Sequence, residues 1–342
     1  MSSPYLASRC VLSVVIAVAC LASAAVVAGQ TPPTAKARTA ATAKTWTQPR
    51  TPDGQPDLQG IWSNATTTPL ERPVALAGKD VLTDEETASL AKETQQNRNT
   101  DRRDGKGTDV DVARAYNEFW WERGKLLNRT SLIVDPADGR LPSLTPKGER
   151  RVAALAEARR LRGPADSWED RPLQERCLLY HGVPPLPTGY NNNYQIVQTA
   201  GYVAIIHEML HEARLIPLDG RSHVGTNLRL WMGDSRGRWE GNTLVVDTSN
   251  FSNQPNLFRF PASGATVRVV ERFTRIDADH IDYRFLVEDP ETYTRPWTAA
   301  LPMTKIEGPI YEYACHEGNV GMEGILSGHR ADEKAAAEAE TK

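Results

Sequence analysis

His280-Ile281-Asp282-Tyr283-Arg284-Phe285-Leu286-Val287-Glu288 decides the fold. Ile281, Tyr283, Phe285 and Val287 fall on one side of the run, while His280, Asp282, Arg284 and Glu288 fall on the other. This is the period-2 pattern of a strand with one dry and one wet face. Comparable runs predict further strands over 194–199, 202–209, 213–218, 228–232, 243–248, 266–275, 296–304 and 310–317. Turn residues separate several of them, at Asp219-Gly220, Glu240-Gly241-Asn242 and Asp277-Ala278-Asp279. Strands this frequent, with no helix between them, imply a mainly β fold: an antiparallel meander over 194–317 that closes into a lipocalin-like barrel or a curled sheet.

Residues 51–193 form a helical and loop-rich N-terminal portion. Arg50 to Trp62 carries two turn signals and then a short strand around Trp62. Gly60-Ile61-Trp62 is similar to the opening strand of lipocalin-like barrels, and it also fits a plain buried tryptophan. A helix is expected over 84–97, with Thr83 as N-cap and Glu86 completing a capping box. A second is expected over 111–123, carrying Tyr116, Phe119, Trp120 and Trp121. Residues 130–144 predict a hairpin turning at Pro136-Ala137-Asp138-Gly139. A third helix begins at Thr145-Pro146 and runs to Leu161, stopped by Gly163-Pro164. The Pro-rich stretch 164–193 holds Cys177 and His181, and a loop this long is usually functional or pinned. Residues 318–342 form a C-terminal tail, helical or disordered.

The first 29 residues read as a signal peptide: Arg9, an apolar run from Val11 to Val27, then small residues at the cleavage site. A membrane anchor is the alternative, since the run approaches ~18 residues. Residues 30–50, rich in Thr, Ala, Pro, Lys and Gln, cannot build a core and read as a disordered tether. The expected product is an exported protein, periplasmic or extracellular, with no integral membrane segment in the mature chain. Removing the leader takes away Cys10 and Cys20 and leaves Cys177 and Cys315. An even pair in an oxidising compartment predicts one disulfide. The loop it closes exceeds a hundred residues, which is worth up to about 4–5 kcal/mol on chain-entropy grounds. A formal charge of -3, without a lysine-rich run, argues against nucleic acid as a partner. Phosphate-cradling, dinucleotide and nucleophile-elbow motifs are missing from the chain.

Two constellations offer chemistry. His207-Glu208-Met209-Leu210-His211 is a formal HExxH. On a helix, His207 and His211 would hold zinc while Glu208 polarised the bound water. The β-prone residues Tyr202 to Ile206 argue instead for a strand, where Glu208 points away from both imidazoles. His223 and Glu240 are candidate third ligands. The other constellation is an acid/base pair. Glu271 sits among Val267, Val269 and Phe273 on a predicted inner face, and His207 sits with Val203, Ile205 and Met209 on another. An inward carboxylate and an inward imidazole can do acid/base work in a barrel; a buried glutamate neutralised by an arginine is the structural alternative. Tyr283, Phe285, Arg295 and Trp297 are the candidate ligand-binding residues. Arg214, Arg238, Arg268, Arg272 and Arg284 stud the strands and should mostly face solvent.

Several segments also carry a resemblance: 50–62; Thr68-Pro69-Leu70-Glu71-Arg72-Pro73; 233–246 with its Ser235-Arg236-Gly237-Arg238-Trp239-Glu240 core; Arg295-Pro296-Trp297-Thr298; and 311–318. Together they resemble an uncharacterised family of secreted soil-bacterial proteins. The resemblance spans nearly all of the chain after the leader. It implies export and brings no catalytic residue with it.

The functional expectation is a binder of a small apolar or aromatic molecule, held beside His207 and Glu271. Such a protein can also act as a cofactor-free lyase or hydrolase. A zinc-dependent hydrolase built on His207 and His211 is the second class, and a non-catalytic envelope or scaffold protein the third.

Overall fold

The computed structural model describes residues 46–99, 101, 107, 118–254 and 257–341. The expected signal peptide, most of the expected tether and most of the expected 111–123 helix lie outside the described residues. In chain order the elements are β1 (Gly60–Ser63), α1 (Asp84–Arg98), β2 (Ile133–Asp135), α2 (Pro146–Arg160), β3 (Asn193–Gln198), β4 (Tyr202–His207) and β5 (Ala213–Pro217). There follow β6 (Asp234–Glu240), β7 (Thr243–Ser249), β8 (Arg268–Arg275), β9 (His280–Glu288), β10 (Trp297–Ala300), β11 (Met303–Ile306) and α3 (Val320–Glu340).

The sheet is antiparallel, as the alternation requires. Its hydrogen-bonded order is β5-β4-β3-β1-β11-β9-β8-β7-β6, and β10 joins β9 to β2 off this path. Consecutive strands pair locally within two arms, β3-β4-β5 and β6-β7-β8-β9; short turns join these neighbours, except that β7 and β8 are linked by the longer stretch 250–267. Side chains of alternate residues fill the concave side. Trp62, Tyr194, Phe273, Tyr283, Phe285 and Trp297 are the largest of them. Successive ring contacts, such as Phe273–Tyr283 at 4.6 Å and Phe285–Trp297 at 5.7 Å, run across the inner face of β8, β9 and β10.

The sheet curls until its two outer strands meet, but hydrogen bonds do not close it. Gly237 of β6 marks the approach: a Cβ there would lie 2.8 Å from Ile216 Cγ2 and 2.7 Å from Leu218 Cδ2. The fold is therefore a curled sheet with accessory helices.

Local signals explain the helices. Thr83 accepts from Glu86 N–H while Glu86 reaches back to the Thr83 N–H, a complete capping box on α1. Thr145 caps α2 and Pro146 opens it. The Thr145 hydroxyl also donates to the Glu291 carbonyl at 2.6 Å, docking the helix against the loop after β9. The tail proves helical, as α3, and His329 holds it to Asp166 at 3.1 Å.

Several expectations change. Residues 228–232 form no strand; Leu230 makes an isolated bridge to Phe251, two residues beyond the end of β7. Residues 310–317 are not a strand; they follow Gly308-Pro309 and leave Tyr311 70% exposed. The run 296–304 divides into β10 and β11 at Leu301-Pro302, where proline lacks the N–H a ladder needs. The turn at Gly139 exists, but β2 pairs with β10 and not with residues 140–142. Gln48 and Pro49, assigned to the tether, hydrogen-bond to Asp57. Strand β6 was unforeseen.

Candidate functional site

The site forms where β4 turns into β5. His207 ends β4 on the concave face, directly opposite Tyr194 of β3. Glu208 and a single 3₁₀ turn, Met209–His211, then reverse the chain. Leu210 adopts φ +55° to make the reversal this tight, in a region that non-glycine residues seldom occupy. Glu212 returns to the interior, its carbonyl accepting from His207 N–H at 2.7 Å. Its carboxylate Oε2 lies 3.0 Å from His207 Nδ1.

The same carboxylate holds a loop. Glu212 Oε1 accepts from Tyr180 N–H at 2.6 Å, and Oε2 accepts from Gly182 N–H at 3.3 Å. These bonds bring His181 over the dyad, its ring 5.8 Å from that of His207 and 5.4 Å from that of Tyr194. Thr188 Oγ1 lies 3.3 Å from His181 Nε2. The expected disulfide fastens the loop from the other end: Cys177 and Cys315 are bonded, with Cα atoms 5.8 Å apart.

His181, His207 and Glu212 are 4%, 1% and 7% exposed. His207 Nε2 and His181 Nδ1 have no hydrogen-bond partner among the described residues. In the neutral ring the His207 Nδ1–H donates to Glu212, which leaves the Nε2 lone pair facing a dry interior. Burial, reinforced by neighbouring His207, pushes the His181 imidazole down to about 3, against the opposing pull of Glu212. For Glu212, burial alone would raise the carboxyl. The His207 hydrogen bond and charge, with the Tyr180 N–H, outweigh it and hold the group below its ordinary range.

The HExxH motif lacks the helix that its zinc geometry requires. Glu208 is turned to other work: Asn193 Nδ2 donates to it at 2.6 Å and Tyr311 N–H at 3.0 Å. His223 pairs with Asp234 at 3.0 Å, and Glu240 with Arg238 and Arg272.

Glu271 does face the interior, as expected, but it meets Arg214 and not His207. Arg214 Nη1 lies 2.8 Å from Glu271 Oε2, near enough to pair the charges though not aligned as a hydrogen bond. Tyr283 OH donates to Glu271 Oε1 at 2.8 Å. Arg214, expected outside with the other strand arginines, is thus an interior residue. Tyr283, Phe285 and Trp297 are fully buried in the core, so the first serves the glutamate and the others pack against rings. Arg295 is exposed and pairs with Asp135 at 2.6 Å. The four ligand-binding candidates do not converge on one cavity; Arg295 borders a separate hollow of about 410 Å³ with Tyr293 and Pro296.

A groove of about 450 Å³ lies over the turn that carries the dyad. Tyr180, Tyr190, Met209, Leu210 and Tyr313 line it, with Asn319 among the polar groups. Sequence reasoning missed His181, Glu212 and this groove. Only the length of the 164–193 loop signalled that something held it. The chain matches no protein-family model, no curated protein and no solved structure.

Proposed function

We propose that this is an exported protein that binds a small aromatic molecule in the groove lined by Tyr180, Tyr190, Met209, Leu210 and Tyr313. The observation that carries the reading is the groove's composition: three tyrosine rings and a flexible thioether line about 450 Å³, with Gln174, Glu175 and Asn319 placed to orient a guest. The disulfide supports it, since it holds Cys315 and the neighbouring Tyr313 against the 174–180 segment. That bond also fits an oxidising compartment. Among the described residues no helix is long and apolar enough to cross a membrane. The interior beside Glu271 is filled with side chains, which moves the expected ligand position outward to the groove.

Binding is tested by titrating a panel of one- and two-ring phenols and aromatic acids while following tyrosine fluorescence and thermal unfolding. A guest at a hundred times its Kd should add about 2.7 kcal/mol of stability, and Tyr313→Ala should abolish the effect. A panel-wide failure to shift unfolding would favour the non-catalytic scaffold class instead.

A further inference from the structure

We infer that His181, His207 and Glu212 form a buried site for one divalent transition-metal ion of the zinc class. One donor atom from each residue lies within 4.8 Å of the other two. Donors around a tetrahedral zinc are separated by about 3.4 Å, as bond lengths of about 2.0–2.1 Å require. A small inward movement of His181 therefore completes the set. The donor chemistry is imidazole and carboxylate, which suits zinc and its neighbours in the first transition row better than calcium or magnesium. Cys177 and Cys315 are committed to their own bond.

A second observation points the same way. The ring nitrogen His181 Nδ1 is buried without a partner, and His207 Nδ1 meets only the Glu212 carboxylate that would share the ion. A buried imidazole nitrogen left unpaired is costly, and an ion beside it would satisfy it. Two of the three ligands are also oriented from behind. Thr188 Oγ1 lies against His181 Nε2, and the Tyr180 and Gly182 N–H groups fix Glu212. Outer partners of this kind accompany real metal ligands.

With three protein donors the ion would keep one position for a water, and its role here would be to fasten the loop to the sheet. Tyr194 packs 4.8 Å from the His207 ring and leaves little room for a substrate. His181 comes from the long loop, whereas His207 and Glu212 come from the sheet. The ion would thus clamp the loop to the sheet a few residues from the disulfide. This does not rest on the aromatic groove, and the two fail separately: Tyr313→Ala leaves all three ligands in place, and zinc binding is read without any aromatic guest.

The test uses the full disulfide-bonded chain, stripped with chelator and titrated with zinc(II) and cobalt(II) alone. One equivalent should bind, raise the melting temperature and give cobalt its ligand-field absorption. His181→Gln and Glu212→Gln should each weaken binding about tenfold or more, while His329→Ala leaves it unchanged. Absence of stoichiometric binding by the folded chain overturns the inference. So does binding that survives in the folded His181 and Glu212 variants, or that depends on His329 and thus belongs to the exposed Asp166–His329–Glu333 group. If the variants do not fold, X-ray absorption on the unaltered zinc-loaded chain decides: two imidazoles support the site, and fewer overturn it.

Discussion

Arg214 and Glu271 meet across the hollow of the sheet, 2.8 Å apart, although their strands stand far from each other in the hydrogen-bonded order. The pair records the curl directly. Arg214 leaves the edge strand β5, Glu271 leaves β8, and only strong bending brings them together. Removing one partner strands the other charge in an apolar interior. Glu271→Leu or Arg214→Met should therefore cost about 3–5 kcal/mol, whereas the two changes together should recover much of the loss. Urea unfolding of the two single variants and the double variant measures the coupling. Additive losses would show that the charges do not interact.

Gly237 permits the approach of the two outer strands. Gly237→Val would force atoms into the 2.7–2.8 Å gaps to Leu218 and Ile216. Such overpacking should destabilise by about 1–3 kcal/mol. The same change at Gly241, where nothing stands within 4 Å but φ is +61°, should cost through backbone strain alone. Thermal melts of both variants, with the 194–217 arm followed by hydrogen exchange, separate the causes: only the first should loosen β5.

The disulfide spans 138 positions. Cys177→Ser or Cys315→Ser should lower stability by about 2–5 kcal/mol and expose the 164–193 loop to proteases. Limited proteolysis with mass mapping should place the new cuts there first. Unchanged resistance would mean that Glu212 and its partners hold the loop unaided.

Acid should unfold the metal-free chain early. His181 titrates near 3 when folded and near 6.5 when unfolded. Between those values the unfolded chain carries a proton the folded chain does not, so stability falls as pH falls, by up to about 1.4 kcal/mol per pH unit. Glu212 adds to the fall at lower pH, since its depressed carboxyl stabilises the fold above its ordinary value of 4.5 and loses that contribution on protonation. His181→Gln should flatten the slope between pH 6.5 and 4.5 in chelator-treated protein. An unchanged slope would assign the acid sensitivity elsewhere.

The sheet was legible wherever one face is apolar and the other wet, as in β9, because alternation is itself the cause of strand burial. β6 escaped for the converse reason: its inward position at Gly237 carries no side chain to count, and Arg236 and Arg238 flank it. Residues 310–317 misled because Tyr311, Tyr313 and Cys315 alternate like a strand, yet the disulfide and the loop, rather than a ladder, give them their place. The HExxH spacing drew attention to Glu208 and His211. The partner that reaches His207 is Glu212, one residue beyond the motif, and His181 comes from a loop whose folding no local pattern encodes. Glu271 was legible as an inward acid among apolar neighbours. Its arginine was not, since Arg214 resembles the solvated arginines of the other strands until the curl is known.

β1 and β11 have a consequence for how the molecule is completed. Their three residue pairs, from Ile61↔Ile306 to Ser63↔Thr304, form the hydrogen-bonded seam between the two arms. The arms can zip up from neighbouring residues as they emerge, but the seam joins the beginning of the described chain to its far end. A nascent polypeptide therefore carries two unjoined meanders, each with a bare edge, until Met303–Ile306 is released. A chain cut short before that point should aggregate through those edges.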